Sequence, residues 1–435
     1  MLKAGFARLD VTPPMGSYIS GYFKARYAKG VLDPIQLNAL AFSDGETTAL
    51  IIISDLIGVD RITCNALREE ISAATGVGID HIMLTALHQH TSFAFLDPTF
   101  KKARGEKLMP TDELYCKMLH IKYCDVATMA LDDMSEATLS YSERETAEQI
   151  AFVRRYYLKD GTVRTNPFDC VADIVRPCET PDNTVRLLRF TREEKNDIAL
   201  VNFCTHPDVV GGEYLSADWP GFVRRYVERD LDGVSCILLN GCQGDSNHCD
   251  FVGGVRGGYE HSAHMGRVIA DTVLSIWDKT KAEDASRVAG GVRTVVLPTR
   301  TDGAEDYDKC VQFLDDYHAN RLSYCPNGGE LGRAGRITRL RTAPAFQQIP
   351  VSVLRLGSFA FVGFGGEPFT RYGIAVRENC PDVTVITACC ANGYEGYLPT
   401  AQALGEGGYE ANASPFIPAL EEECVNAATH LINEL

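Results

Sequence analysis

Three times along this sequence an apolar run is followed by a polar or glycine-rich turn, a stretch with helical spacing, and a second apolar run that ends in polar residues. The first copy runs from Ala49–Asp55 through a helix near 61–74, with Ile62, Leu67 and Ile71 at helical spacing, to His81–His90. The second runs from Ile198–His206 through a helix near 219–231 to Ser235–Asp245. The third runs from Phe359–Glu367 through a helix near 369–379 to Val383–Asn392. Short, wholly apolar runs suit strands buried on both faces. Their alternation with helices predicts an α/β fold of layered, mixed parallel and antiparallel sheets flanked by helices. Leu2–Val11 and Arg287–Leu297 read as further, antiparallel strands. The stretches near 97–112, 159–182 and 320–348 read as long loops or lobes, and no linker-like tract divides the 435 residues, so one domain is expected.

Each of the six runs ends, on its carboxyl side, in groups able to do chemistry: Asp55, the pair His88 and His90, His206, Asp245, Glu367, and Asn392 leading into Tyr394 and Tyr397. Ligands of open α/β sheets bind beyond the carboxyl ends of the strands, where loops converge on a rigid support. One shared cleft is therefore expected. In an extended chain alternate residues face the same way, so His88 and His90 of His88-Gln89-His90 can point into one cleft as metal ligands or as a ligand beside an acid/base. The same motif serves equally as two solvated or capping histidines. Pro207 ends any strand at His206 and presents its ring from a turn, although His206 could also cap the following loop. Glu367, between Gly366 and Pro368, suits either a site ligand or a charge at a helix start. The turn Asn240–Asn247 resembles an anion nest, a nucleophile turn at Ser246, or a plain polar loop; it is neither G-x-S-x-G nor a phosphate-binding P-loop.

Composition narrows the classes. Subtracting 58 acidic from 42 basic residues gives −16, a field that repels a phosphate backbone, so no nucleic-acid partner is expected. The 15 cysteines are odd in number and lack repeated C-x-x-C pairs, which predicts reduced, mostly buried thiols. No apolar run approaches the ~20 residues of a membrane span, and the first residues lack the apolar core of a signal peptide. A cytoplasmic protein without an integral membrane segment is expected.

In order, Gly5–Pro14, Gly21-Tyr22, Asp33-Pro34, Ser54–Leu56, His88–Ser92, Gly244-Asp245, Gly366-Glu367 and Asn392–Thr400 resemble the motifs of the neutral/alkaline non-lysosomal ceramidases over nearly the whole chain. The resemblance implies one zinc ion held by His88, His206, Glu367 and Tyr397, and hydrolysis of the amide bond of a small-molecule or lipid-amide substrate by water activated at that ion. It implies that His90 is the acid/base and a substrate contact, that Arg154 or the neighbouring Arg155 binds near the carbonyl, that Asp245 belongs to the catalytic set, and that Tyr409 stands near the scissile group. Where the family has Gly-Asp-Val-Ser, this sequence has Gly244-Asp245-Ser246-Asn247, with Asn247 in the serine's place. The family's secretion signal and C-terminal immunoglobulin-like domain have no counterpart, which is why ceramide is not the only substrate to consider. The alternatives are an esterase or deacetylase acting on a small polar or carbohydrate metabolite, and a non-catalytic metal- or ligand-binding homologue.

Overall fold

The expected units are present, and each is a right-sized crossover between two parallel strands. The computed structural model describes residues 1–97 and 110–435. The first sheet holds β1 (Lys3–Asp10), β2 (Gln36–Ser43), β3 (Thr48–Ser54), β4 (Ile82–Ala86), β5 (Ser135–Glu145), β6 (Thr184–Arg192), β7 (Asp197–Phe203) and β8 (Val234–Asn240), in the order β8-β7-β6-β5-β1-β2-β3-β4. Its two edges are the parallel pairs β3/β4 and β7/β8, and the strands between are antiparallel. The second sheet has the order β9 (Val288–Pro298), β10 (Phe346–Leu356), β11 (Phe359–Phe364), β12 (Thr384–Ala388), with β11/β12 its parallel pair. The crossover helices are α1 (Arg61–Thr75), α3 (Asp218–Asp230) and α6 (Thr370–Asn379). Four more helices bear on the argument: α2 (Pro110–Asp132), α4 (Tyr259–Ile276), α5 (Gly328–Arg339) and α7 (Leu420–Glu434).

Strand alternation sorts the core into layers. On β2 and β3, Leu37, Ala39, Leu50 and Ile52 pack with Leu67 and Ile71 of α1 and Leu119 and Tyr123 of α2. Leu40, Phe42, Ile51 and Ile53 point the other way and meet Leu354, Phe359 and Phe361 of the second sheet, with the Phe42 and Phe361 rings 5.9 Å apart. The far face of the second sheet, with Val351, Val353, Ala360 and Val362, is covered by Tyr372 and Val376 of α6 and Leu420 and Ala428 of α7. The layers therefore run helices, sheet, sheet, helices, and α3 and α4 close the β7/β8 end. Burial of this kind, at roughly 25 cal/mol per Å² of apolar surface, is what holds such an assembly.

The carboxyl ends of the three parallel pairs are stitched together by side chains that finish each other's backbone bonds. Asn202 Nδ2 donates to the carbonyls of Leu239 and Thr387 (2.9 and 3.0 Å), Asn240 Nδ2 to that of Leu87 (3.0 Å), and Thr85 Oγ1 to that of Cys389 (2.7 Å). Asn392, in the left-handed region at φ 55°, accepts from the Leu84 amide (2.9 Å). Polar groups buried here must be paired, so these bonds fix how the three pairs meet.

Two expectations are corrected. The stretch near 320–348 contains α5 and the start of β10. Its glycines mask a helix that is fixed instead by a capping box between Asn327 and Glu330 and by the buried face Leu331, Ala334 and Ile337. The stretch near 159–182 holds the short strands Val163–Thr165 and Ile174–Pro177 against Arg155–Leu158. The stretch near 97–112 lies mostly outside the described residues. All fifteen thiols are free, and ten are buried. Among the described residues no helix is long and apolar enough to cross a membrane.

Candidate metal centre

His88 and His90 do converge, though by a route other than strand alternation. β4 ends at Ala86, and His88 occupies the left-handed region at φ 78°, so the pair sits on a turn. Leu87 and His88 donate their amides to Ser54 and Leu56 of the neighbouring strand end, and the His90 amide donates to Pro207 O. The two rings meet edge to face with centroids 5.0 Å apart, and His206 lies 5.2 Å from His88 and 5.7 Å from His90. One ligand atom from each of these three buried histidines lies within 4.8 Å of the others.

The hydrogen bonds behind the rings decide which nitrogens face the centre. His88 Nδ1 is 2.6 Å from the Ile57 carbonyl, and His206 Nδ1 is 2.8 Å from that of Gln243 and 3.1 Å from that of Ser246. Carbonyls only accept, so Nδ1 carries a proton in both rings, and in the neutral ring Nε2 presents a lone pair. Both lone pairs point at one carboxylate oxygen, with Glu367 Oε2 3.2 Å from His88 Nε2 and 3.1 Å from His206 Nε2. Three acceptors facing one another repel; a proton relieves one pair, whereas a cation satisfies all three. Two neutral imidazoles and a carboxylate are a zinc-type donor set, and these residues fit such an ion.

The electrostatics agree. Burial and the Arg154 cation hold His206 neutral, at about 3. Burial, followed by His88 and Arg154, also keeps His90 well below the usual histidine range. Burial opposes ionisation of Glu367, yet hydrogen bonding and charge from His88 and His206 outweigh it and hold the carboxyl well below its usual value, the proton-bridged form of the contact that a cation would replace.

The other expected residues are placed as follows. Tyr397 is buried, stacked 6.4 Å from the His206 ring, with the Arg154 guanidinium 5.3 Å from its centroid. Burial pushes its phenol up, opposed by Arg154. Tyr409 packs edge-on against Tyr397 at 5.3 Å, and burial raises its phenol to about 12. Arg154 is the arginine beside Tyr397. Its Nε donates to Glu410 Oε1 (2.7 Å) and its Nη2 to Gly244 O (2.8 Å), whereas Arg155 turns to Gly407 O, Glu406 and Glu410. Asp245 accepts from the amide and hydroxyl of Thr370 at the start of α6 (2.8 Å each), and its carbonyl accepts from the Arg154 amide. Ser246 donates its hydroxyl to Cys204 O (3.3 Å), and Asn247 donates its amide to Asn166 Oδ1 (3.0 Å). Asp55 is a buried strut, paired twice to Arg224 at 2.8 and 2.6 Å.

Tyr394, expected among the strand-end groups, joins the centre, and two further contributors, Glu410 and Asp208, escape a motif-by-motif reading. Tyr394 donates to Glu367 Oε1 (3.3 Å) and lies 5.4 Å from the His88 ring. Glu410, wholly buried, pairs with both Arg154 and Arg155. Asp208 Oδ1 lies 3.5 Å from His90 Nδ1 and accepts from the Tyr22 hydroxyl at 2.5 Å. The signal available was adjacency: Asp208 and Glu410 each lie within two residues of a group already singled out.

Fold and site together define a layered α/β protein with a buried histidine–glutamate centre at the meeting of three parallel strand pairs. Two solved structures of the same architecture are ceramidases. The neutral ceramidase from Pseudomonas aeruginosa superposes with a TM-score of 0.74 at 15% identity, over 100% of this chain and 75% of that one. A ceramidase complexed with C2 superposes with a TM-score of 0.74 at 14% identity, over 100% of this chain and 76% of that one. No protein-family model and no curated protein sequence matches the chain. The resemblance in motif order is thus matched by a shared fold.

Proposed function

We propose that this protein is a zinc-dependent hydrolase of a carbon–nitrogen amide bond, with one ion per chain held by His88, His206, Glu367 and Tyr397. The observation that carries the reading is the convergence of the two Nε2 lone pairs on Glu367 Oε2, each ring locked from behind by a backbone carbonyl. Zinc in such a donor set supplies a bound water of pKa near ~7 and polarises a carbonyl.

The chain's own groups supply the rest. Arg154, charged and fixed by Glu410 and Gly244, stands where it can hold a substrate carbonyl and the negative charge that develops on its oxygen. Neither ring nitrogen of His90 is hydrogen-bonded, so the ring is free to take a proton from water and hand it to the leaving nitrogen. Water adds across the bond: its oxygen joins the carbonyl carbon, the C–N bond breaks, and the nitrogen leaves protonated as the amine. Tyr409, beside Tyr397, lines the scissile group. Asp245 serves this set through Thr370 and the Arg154 backbone. The same reading keeps the chain a single catalytic domain acting in a reducing cytoplasm, in accord with its free thiols.

A profile of zinc-loaded protein against N-acyl lipids, small N-acyl metabolites, acetylated sugars and simple esters tests this. Amide turnover is expected, with Glu367→Ala lowering it at least about a thousandfold. Turnover that survives Glu367→Ala, or cleavage of esters alone, contradicts it.

A further inference from the structure

His90 is 7% exposed, and among the described residues neither of its ring nitrogens has a hydrogen-bond partner. One group nevertheless faces its Nδ1 edge. Asp208 Oδ1 stands 3.5 Å from Nδ1, longer than a formed hydrogen bond but within reach of an ion pair. Gly21, at φ 106°, leaves that edge open, because a Cβ there would fall 2.7 Å from Nδ1.

The carboxylate and the ring are held in one register. The Tyr22 hydroxyl donates to the same Oδ1 at 2.5 Å, its ring lies 5.6 Å from that of His90, and the Arg26 guanidinium stands 3.8 Å from the Tyr22 centroid. Arg26 Nη2 in turn donates to the His90 carbonyl (2.6 Å), while the His90 amide donates to Pro207 O (3.1 Å), one residue before Asp208. On the other side of Asp208 the amides of Val209 and Val210 both donate to the buried Asp218 (2.9 Å each). Asp208 itself is 24% exposed, so water competes only in part for its oxygens.

A neutral imidazole carries one proton and one lone pair, and a base needs the lone pair on the nitrogen that faces the reaction. A carboxylate beside Nδ1 favours the proton there, which leaves Nε2 as the nitrogen to face His88 and His206. Carboxylate–histidine pairs of this kind fix both ring orientation and tautomer, and their bonds are often long until substrate is bound.

Resting on the hydrolase reading above, we infer that Asp208 is the positioning residue of His90: it accepts from Nδ1–H, holds the Nε2 lone pair toward the histidine–glutamate centre, and is itself aimed by Tyr22. The Nδ1 proton stays in place. The proton taken from water and passed to the leaving nitrogen travels through Nε2 alone.

A double-variant cycle tests this, with kcat and KM measured on an amide that the zinc-loaded wild type cleaves, for wild type, Asp208→Ala, His90→Gln and the two combined. Asp208→Ala is expected to lower kcat at least about tenfold with KM within about threefold, and to cost less than about twofold more once His90 is Gln, because Asp208 acts only through that ring. A smaller loss, one that falls on KM instead, or an equal loss in both backgrounds overturns the inference. Should no amide be cleaved, the hydrolase reading falls and the ring itself decides, by two-bond proton–nitrogen NMR correlation of the zinc-loaded protein with His90 assigned from its absence in His90→Gln. A ring protonated on Nδ1 in the wild type that moves toward Nε2 protonation in Asp208→Ala upholds the positioning role. A wild type protonated on Nε2, or a tautomer indifferent to the substitution, overturns it.

Discussion

At residue 88 the chain holds a β-carbon in the left-handed region, which non-glycine residues seldom occupy. The strain is offset by bonds that over-determine the turn, amide to Leu56 O and Nδ1 to Ile57 O. A second backbone constraint faces it. Gly21, at φ 106°, lies so close to the site that a Cβ there would fall 2.7 Å from both His90 Nδ1 and Ile57 Cδ1. Gly21→Ala must therefore displace His90 or the segment carrying Tyr22. We expect turnover to drop about a hundredfold while bound zinc stays near wild-type, because His88, His206 and Glu367 are untouched. Parallel assays of activity and metal content check this; unchanged turnover contradicts it. At this scale the histidines and Glu367 were legible, since their chemistry is rare and their positions at strand ends conspicuous. The tautomer-fixing carbonyls of Ile57, Gln243 and Ser246 were not, because a backbone oxygen has no signature in sequence.

Among the elements, the parallel pairs were readable because strands buried on both faces are apolar throughout, and the expected helices near 61–74, 219–231 and 369–379 match α1, α3 and α6 closely. What pattern could not supply was how the pairs dock, since that depends on side chains such as Asn202, Asn240 and Thr85 finding carbonyls far away in the chain. The H-x-H turn was misread as strand for the same reason: tertiary bonds, not local alternation, aim its rings. Asp182 shows such a latch in ionic form. Just before β6, with its side chain 9% exposed, it pairs with Arg186 at 3.1 Å and, across to α6, with Arg377 at 3.1 Å. Burial alone would raise its carboxyl, but the two arginines hold it below the usual value. A depressed folded pKa gives stability that is present above the unfolded value of about 3.9 and lost as pH falls through the folded one. Asp182→Asn should cost about 3 kcal/mol at pH 7, the difference shrinking below about pH 4. Urea denaturation of both proteins across that range measures it, and a penalty independent of pH would contradict the ionic account.

Taken whole, the molecule spends its length on bringing residues from 21 to 410 to one end of two stacked sheets. The layered fold was legible from three repeats of one unit, while the exchange of contacts between the sheets was not, because nothing in an apolar strand specifies which sheet will face it. The central claim is that the two imidazoles and Glu367 exist to hold an ion, and the direct measurement is zinc content per chain by elemental mass spectrometry. It is made after saturation and exhaustive dialysis of wild type, His88→Ala and His206→Ala. The account predicts about one zinc per wild-type chain and less than about a tenth of that in either variant. A wild type that retains no zinc, or variants that retain as much as the wild type, would contradict it.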